Sequence, residues 1–250
     1  MPQPAEILPV AAAAGELLLR CGANVDRVED TVARIAQAYG IAEVATFATP
    51  TGLFVALGTG HHTATVCRVR ERTMALDRVS ALNALSRELA VNPLPPEEAL
   101  RRIQAIAAQP GPLPTWTDVA FSGLAAAACT MLVGGALSDF GPALVANLFV
   151  QGTQRLVRRM HTPDAIGDFL AGAGAVLCAV ALSTWVGSAF APVVAGGIMV
   201  LVPGTAFTAS VRDAMAGDLV SSGARGLEAA VKAAALASGV AAALYVTGRL

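Results

Sequence analysis

Residues 169–211 read FLAGAGAVLCAVALSTWVGSAFAPVVAGGIMVLVPGTAFTASV, and none of them is Lys, Arg, Asp or Glu. One transmembrane helix needs about 20 apolar residues to cross about 30 Å of hydrocarbon. This uncharged run is about twice that length. Its segment WVGSAFAP, at 185–192, has the Trp, Gly and Pro that are typical of a turn at the membrane surface. The run therefore predicts two membrane spans, over about 167–186 and 190–208.

Three other apolar segments predict further spans. The first carries no charge between Asp118 and Asp139. The second begins at Phe140 and stays uncharged as far as Gln154. These segments are long enough to cross a bilayer, and so is the last apolar stretch of the chain. The three additional spans are predicted at about 119–138, 141–157 and 227–247, which makes five in all.

Charged residues crowd the first part of the chain, between residues 16 and 102, and become sparse afterwards. This asymmetry predicts two domains, a cytoplasmic α+β domain over 1–112 and a membrane domain over 113–250. The predicted fold class is accordingly an α+β cytoplasmic domain followed by an all-α polytopic membrane domain of five transmembrane helices.

The overall composition also indicates a membrane protein. Hydrophobic residues make up 55% of the chain and charged residues only 14%, and the mean hydropathy is +0.60. A soluble domain is normally less apolar than this. The formal net charge of −1 provides no basic field, so we expect no nucleic-acid partner.

Basic residues decide the predicted orientation. Arg101 and Arg102 precede the first predicted span, the cluster at 155–161 follows the second, and Arg212 and Arg225 lie between the last two. All of these fall on one side of the membrane when the N-terminus is inside. We therefore expect a multi-pass protein of the plasma (inner) membrane, with the N-terminus in the cytoplasm and the C-terminus outside.

The predicted cytoplasmic domain combines amphipathic helices with short strands. GANVDRVEDTVARIAQAYG, at 22–40, has helical periodicity, and residues 43–57 and 63–70 are rich in Thr, Val and Phe. His61 and His62 lie in a Gly-rich turn with no further ligand at metal-binding spacing. We expect neither a metal site nor a cofactor.

Four segments together resemble the threonine/serine exporter family. They are GANVDRVEDTVARIA at 22–36, FATPTGLFVAL at 47–57, RVRERTMALDRVSALNALSREL at 68–89 and LVPGTAFTASVRDAMAGDLVSSGARGLEA at 201–229. Each segment is weak evidence alone, but their order and their place along nearly the whole chain form a specific pattern. The resemblance implies a secondary exporter of small polar metabolites, either threonine- or serine-type amino acids or a dicarboxylate such as succinate, coupled to the proton motive force.

Long members of that family carry a second membrane domain of five spans. The resemblance therefore implies a partner for this chain, either a second, smaller membrane subunit or further copies of the same chain. The lipid bilayer and a small polar substrate are its other expected partners.

A break in the fourth predicted span is the first candidate for the transport site. Pro203 and Gly204 interrupt the helix, and broken helices in transporters bind substrates and ions at their free ends. The alternative is an ordinary kinked helix end with a charged loop. We predict alternating access around this break, with a substrate and ion pathway formed by Asn147, Gln151, Pro203, Gly204, Arg212, Asp213, Asp218 and Lys232.

Two other interpretations remain open. The first is a membrane-anchored hydrolase or small-molecule sensor that uses the cytoplasmic domain, with candidate residues Arg27, Glu29, Asp30, Thr49, Pro50, Thr51 and Arg72. The usual hydrolase and nucleotide-binding motifs are missing from the sequence, so an enzyme is disfavoured. The second is a scaffold subunit whose partner contains the whole pathway.

Overall fold

A computed structural model of the chain describes residues 3–58, 63–70, 72–110, 115–160 and 162–249. Within these ranges the chain forms ten α-helices, one 3-10 turn and three β-strands. It divides into two compact units, Met1–Pro112 and Leu113–Leu250. Each unit has its own buried apolar residues.

The first unit surrounds a small sheet with helices. In chain order its elements are α1 (Pro4–Arg20), α2 (Val25–Ala38), β1 (Val44–Thr49), β2 (Gly52–Leu57), β3 (Thr63–Arg68), α3 (Leu76–Val91) and α4 (Pro96–Ala108). The three strands are antiparallel in the order β1-β2-β3. Pro50 and Thr51 form the tight turn between β1 and β2, in which Thr49 pairs with Gly52.

Helix α1 forms the centre of this unit because nearly all of its apolar side chains are buried. It packs against α2, α4 and the strands β2 and β3. Gly15 makes the close approach possible, since a Cβ at this position would lie 2.9 Å from Val32 Cγ2 and would collide with Leu53. The sequence of α1 is thus matched to a closely packed apolar core.

The second unit is helical throughout its described part. Its elements are α5 (Thr115–Leu132), a 3-10 turn (Leu137–Asp139), α6 (Phe140–Arg159), α7 (Asp164–Trp185), α8 (Phe190–Met199), α9 (Gly204–Met215) and α10 (Leu219–Val246). Helix α7 packs against α6, α8 and α10, and α6 also packs against α5 and α8. Glycines bring α7 and α10 together, because Gly239 faces the backbone of Phe169 and Gly172 faces that of Leu236.

The predicted fold class, an α+β cytoplasmic domain followed by five transmembrane helices, is wrong. Helices dominate the described residues, and the sheet is limited to three short strands. Two described helices, α7 and α10, are long and apolar enough to cross a membrane, and the bent pair α8 and α9 can count as a third span. The segments predicted as spans at 119–138 and 141–157 do not qualify.

The causes of this error can be seen in the helices. Helix α5 ends at Leu132 because Gly134 adopts a φ of 95°, a conformation that terminates helices and suits glycine. The apolar part of α5, Trp116–Leu132, is therefore shorter than predicted. Helix α6 is uncharged over most of its length but carries a row of amides, which counting charges does not detect. Between α8 and α9 the chain bends by 57°.

Candidate functional site

The face of α6 that carries Asn147, Gln151 and Gln154 has two buried amides and one that is partly buried. These residues are spaced i, i+4 and i+7, so they lie on one side of the helix. Asn147 is completely buried and Gln154 is 7% exposed. We refer to these three side chains as the α6 amide row.

Ser122 of α5 joins the first two members of the row. The Gln151 Nε2 donates to Ser122 Oγ at 2.8 Å, and Ser122 Oγ donates to Asn147 Oδ1 at 3.0 Å. The amide nitrogen Nδ2 of Asn147 is buried, and no described residue accepts a hydrogen bond from it. An unused buried donor is costly, so this position favours a ligand that can accept a hydrogen bond.

Asp168 of α7 meets the third member of the row. The Gln154 Nε2 donates to Asp168 Oδ1 at 2.8 Å, and the Asp168 side chain is buried. The other carboxylate oxygen, Oδ2, is buried without a hydrogen-bond donor among the described residues. This oxygen is therefore a buried acceptor with unused capacity.

Lys232 of α10 acts electrostatically on the Asp168 carboxylate. Its Nζ donates to Glu228 Oε1 at 3.0 Å, one turn away on the same helix. The sequence predicts Lys232 in one pathway with Asp213 and Asp218. In the structure, Lys232 forms its ion pair with Glu228.

Asp213 and Asp218 have structural partners. Asp213 is buried, and its Oδ2 lies 3.3 Å from Nε of Arg225. The Asp218 Oδ1 accepts a hydrogen bond from Ser221 N at 3.0 Å, which caps the start of α10. Arg212 precedes the buried Asp213 and is exposed. The structure places these residues at the α9–α10 connection.

Pro203 and Gly204 lie at the bend between α8 and α9. The groove beside the bend has a volume of about 330 Å³ and is lined almost entirely by apolar side chains of α10 and the bend itself. Its lining includes Ile198, Val202, Pro203, Leu236 and Val240. One side of the bend is therefore lined by apolar groups, without the side-chain amides of the α6 amide row.

In the first unit, Arg27 and Asp30 line a polar cleft of about 450 Å³ between α2 and α3. Asn83 and Arg87 of α3 line the opposite side. Thr31 connects the two helices, since its Oγ1 donates to Asn83 Oδ1 at 3.4 Å. This cleft contains two of the seven candidates predicted for the domain.

Other candidates of the first unit lie at the end of the sheet. Glu29 Oε1 accepts a hydrogen bond from Ala48 N at 2.8 Å, next to Thr49. Thr49 Oγ1 donates to Gly52 O at 3.3 Å, Pro50 is buried, and Thr51 is exposed in the same turn. Arg72 is exposed after β3. Only Arg27 and Asp30 line the polar cleft, so the seven candidates do not all line one cleft.

His61 and His62 lie outside the described residues. Within the part of the chain that the structure describes, no group of three or more His, Cys, Asp or Glu side chains is arranged to hold a metal ion.

Comparison with known proteins decides the family. A family model whose description reads "Putative threonine/serine exporter" matches residues 9–247. The chain belongs to this threonine/serine exporter family. The match covers almost the entire sequence and confirms the resemblance of the four segments.

A curated relative of this family member comes from Mycobacterium tuberculosis (strain ATCC 25618 / H37Rv) and is named "Probable threonine/serine exporter". The two proteins are 26% identical over 223 residues, which is 88% of this chain. The chain spans 42% of the length of the relative. No solved structure matches this chain. Family membership and the apolar helices together identify this chain as a membrane protein.

In this exporter-family chain, the α6 amide row and its contacts include three residues that were not among the predicted candidates, namely Ser122, Gln154 and Asp168. A signal for two of them was present in the sequence. Gln154 continues the helical spacing of Asn147 and Gln151, and Asp168 is an acidic residue inside a predicted span. Ser122 gave no signal, because a serine in an apolar helix is ordinary.

Proposed function

We propose that this chain is a secondary-active exporter of small polar amino acids of the threonine and serine type. The observation that supports it best is the α6 amide row, which faces the inside of an apolar helical unit. Polar side chains in such surroundings are costly unless they find hydrogen-bond partners. A polar substrate that crosses the unit would supply these partners.

The chemistry of the row suits the polar groups of an amino acid. The unused Nδ2 of Asn147 is available to a carboxylate or hydroxyl oxygen. The open Oδ2 of Asp168 suits an ammonium group. A dicarboxylate such as succinate has no cationic group for this oxygen, so we favour amino acids over dicarboxylates.

We further propose proton-coupled alternating access in the plasma membrane, with the N-terminus in the cytoplasm and the C-terminus outside. The bend at Pro203 and Gly204 would be the hinge, because its apolar groove has little with which to bind a polar substrate. The basic residues at the end of α6, Arg155, Arg158 and Arg159, support the orientation. Arg212, between the bend and α10, would lie on the same side.

We also propose assembly with a smaller membrane subunit or with further copies of this chain. Helix α9 supports this proposal, since it exposes Phe207, Val211 and Met215 at i, i+4 and i+8. Such a face suits lipid or another apolar helix. The mass of the purified particle, corrected for detergent, would give the stoichiometry.

The alternative of a membrane-anchored hydrolase or small-molecule sensor is not favoured, because the family is one of exporters. The polar cleft between α2 and α3 would be its binding site. Binding or turnover of a small molecule by a chain that transports nothing would support this alternative.

The test is efflux of labelled threonine, serine and succinate from proteoliposomes under an imposed proton gradient, with this chain alone and with a candidate smaller subunit. Asn147→Leu removes the buried amide, and we expect threonine flux to fall about tenfold, the equivalent of one hydrogen bond. Leu148→Ala is the matched control, because Leu148 is 52% exposed and lies about 100° around α6 from Asn147, outside the amide row. The control should transport normally.

Flux that appears only with the smaller subunit would support a split exporter. Succinate flux greater than threonine flux would contradict the proposed substrate class. The absence of any flux, from protein that still unfolds cooperatively on heating, would overturn the proposal.

A further inference from the structure

Asp168 differs from the two other buried aspartates that the structure describes in the second unit. Asp139 accepts backbone hydrogen bonds on both oxygens, from Ala136 N and Ala189 N, each at 2.8 Å. Asp213 forms an ion pair with Arg225. Asp168 has one oxygen bonded to a neutral amide and one oxygen open, although the side chain is only 8% exposed. Its negative charge has no direct ionic partner among the described residues.

The charged groups around Asp168 come from three helices. Lys232 of α10 and Arg158 of α6 attract its negative charge, and Asp164 of its own helix repels it. Helix α8, which also packs against α7, has no titratable side chain. Lys232 is already paired with Glu228. The basic groups around the carboxylate therefore act on it from a distance, and Oδ2 has no hydrogen-bond donor among the described residues.

Asp168 is joined through Gln154 to the α6 amide row, which would hold the rest of a substrate. Its partner Gln154 follows Gln151 by three residues, which is about 4.5 Å of helix rise. Gln151 is bonded to Ser122, and Ser122 is bonded to Asn147. Asn147 lies seven residues from Gln154, about 10.5 Å of helix rise, so an amino acid whose ammonium is at Asp168 would direct its other polar groups toward the Gln151 end of the row.

We propose that Oδ2 of Asp168 binds the substrate ammonium and a proton alternately, so that each displaces the other. This inference rests on the proposed function and adds the residue that couples amino-acid export to proton entry. On the inner side, an amino acid displaces the proton from Oδ2, and the proton leaves to the inner solution. On the outer side, a proton from solution forms an O–H bond at Oδ2, the ammonium loses its partner, and the amino acid leaves. One cycle moves one zwitterion outward and one proton inward.

Calorimetry of the full chain in detergent tests this exchange. Threonine binding is measured at several pH values, in two buffers that differ in their heat of ionisation, which reveals protons released on binding. For wild type we expect release of up to one proton per threonine, and affinity that falls about tenfold for each pH unit on the acid side of the transition. Asp168→Asn should bind more weakly, with no proton release and no dependence on pH.

Asp164→Asn is the matched control, because Asp164 lies one turn away on the same helix and is exposed. It should retain proton release. Asp168→Glu keeps the carboxylate and should also retain it, with a changed midpoint. If Asp168→Asn does not fold, the change of midpoint between wild type and Asp168→Glu still decides whether the proton is on this carboxylate.

Three results would overturn the inference. Wild-type binding that does not depend on pH would do so, while threonine flux in proteoliposomes would still support the proposed function. Persistent proton release in Asp168→Asn would place the proton on another group. A wild-type chain that neither binds nor transports threonine would overturn the proposed function and this inference with it.

Discussion

Nε of Arg225 lies 3.3 Å from Oδ2 of Asp213, and the two side chains are only 12% and 8% exposed. This ion pair joins α9 to α10 near the connection between the two helices. Removing one member of a buried ion pair costs more than removing both, because the remaining charge loses its counter-ion. We therefore expect Asp213→Leu to lower the free energy of unfolding by about 3 kcal/mol, and the double variant Asp213→Leu, Arg225→Leu to recover much of it. Thermal unfolding in detergent measures both.

Asp218→Asn is the control for this prediction. Asp218 caps α10 through Ser221 N, and asparagine caps helices about as well as aspartate. It should unfold at the wild-type temperature. Equal losses in the single and double variants at the Asp213–Arg225 pair would show that its charges contribute nothing as a pair. A loss of export in Asp213→Leu is compared with these unfolding measurements, because a chain that unfolds also stops transporting.

Close contact between α7 and α10 depends on Gly239. A Cβ at this position would collide with the backbone of Phe169, which cannot move aside as a side chain can. We expect Gly239→Ala to separate the helices and to lower the unfolding temperature by several degrees, about the effect of 1 to 2 kcal/mol. Gly223→Ala, in the same helix, has open space around it and should be neutral or slightly stabilising. Equal behaviour of the two variants would contradict the packing role.

Asp139 holds the start of α8 in place. Its Oδ1 accepts from Ala189 N, the residue that precedes α8, and its Oδ2 accepts from Ala136 N. Asp139→Ala leaves both amides without this acceptor, and we expect a loss of about 2 kcal/mol in unfolding free energy. Asp118→Ala is the matched control, since Asp118 is exposed in the first turn of α5. A loss as large in Asp118→Ala as in Asp139→Ala would argue against the bridging role.

The helices of the chain could be predicted from the sequence more easily than the membrane spans. Helical periodicity identified the helix at Val25–Ala38, and Pro203 marked the break before the start of α9. The number of spans could not be predicted by counting uncharged residues, because α6 contains amides instead of charges. An amide row on one helix face leaves the charge pattern unchanged while it makes the helix too polar to count as a span.

Part of the candidate site could be predicted from helical spacing. Asn147 and Gln151 are one turn apart, so their common face follows from the sequence alone. The partners Ser122 and Asp168 come from other helices, 25 and 14 residues away from the amides that they contact. Long-range pairing of this kind depends on how the helices pack. The ion pair of Lys232 with Glu228, by contrast, is local, because the two residues are one turn apart on α10.

Gln154 tunes the proton exchange proposed for Asp168. Its Nε2 donates to Oδ1 of the carboxylate at 2.8 Å and so stabilises the charged form. In Gln154→Leu this hydrogen bond is lost, and protons compete with substrate at higher pH. We expect the pH at which threonine affinity is half-lost to rise by about one unit, since one pH unit corresponds to about 1.4 kcal/mol. Gln151→Leu, on the same helix face, removes a hydrogen bond to Ser122 and should weaken binding without moving this midpoint. Equal midpoints in wild type and Gln154→Leu would mean that the Gln154 hydrogen bond does not act on the proton site.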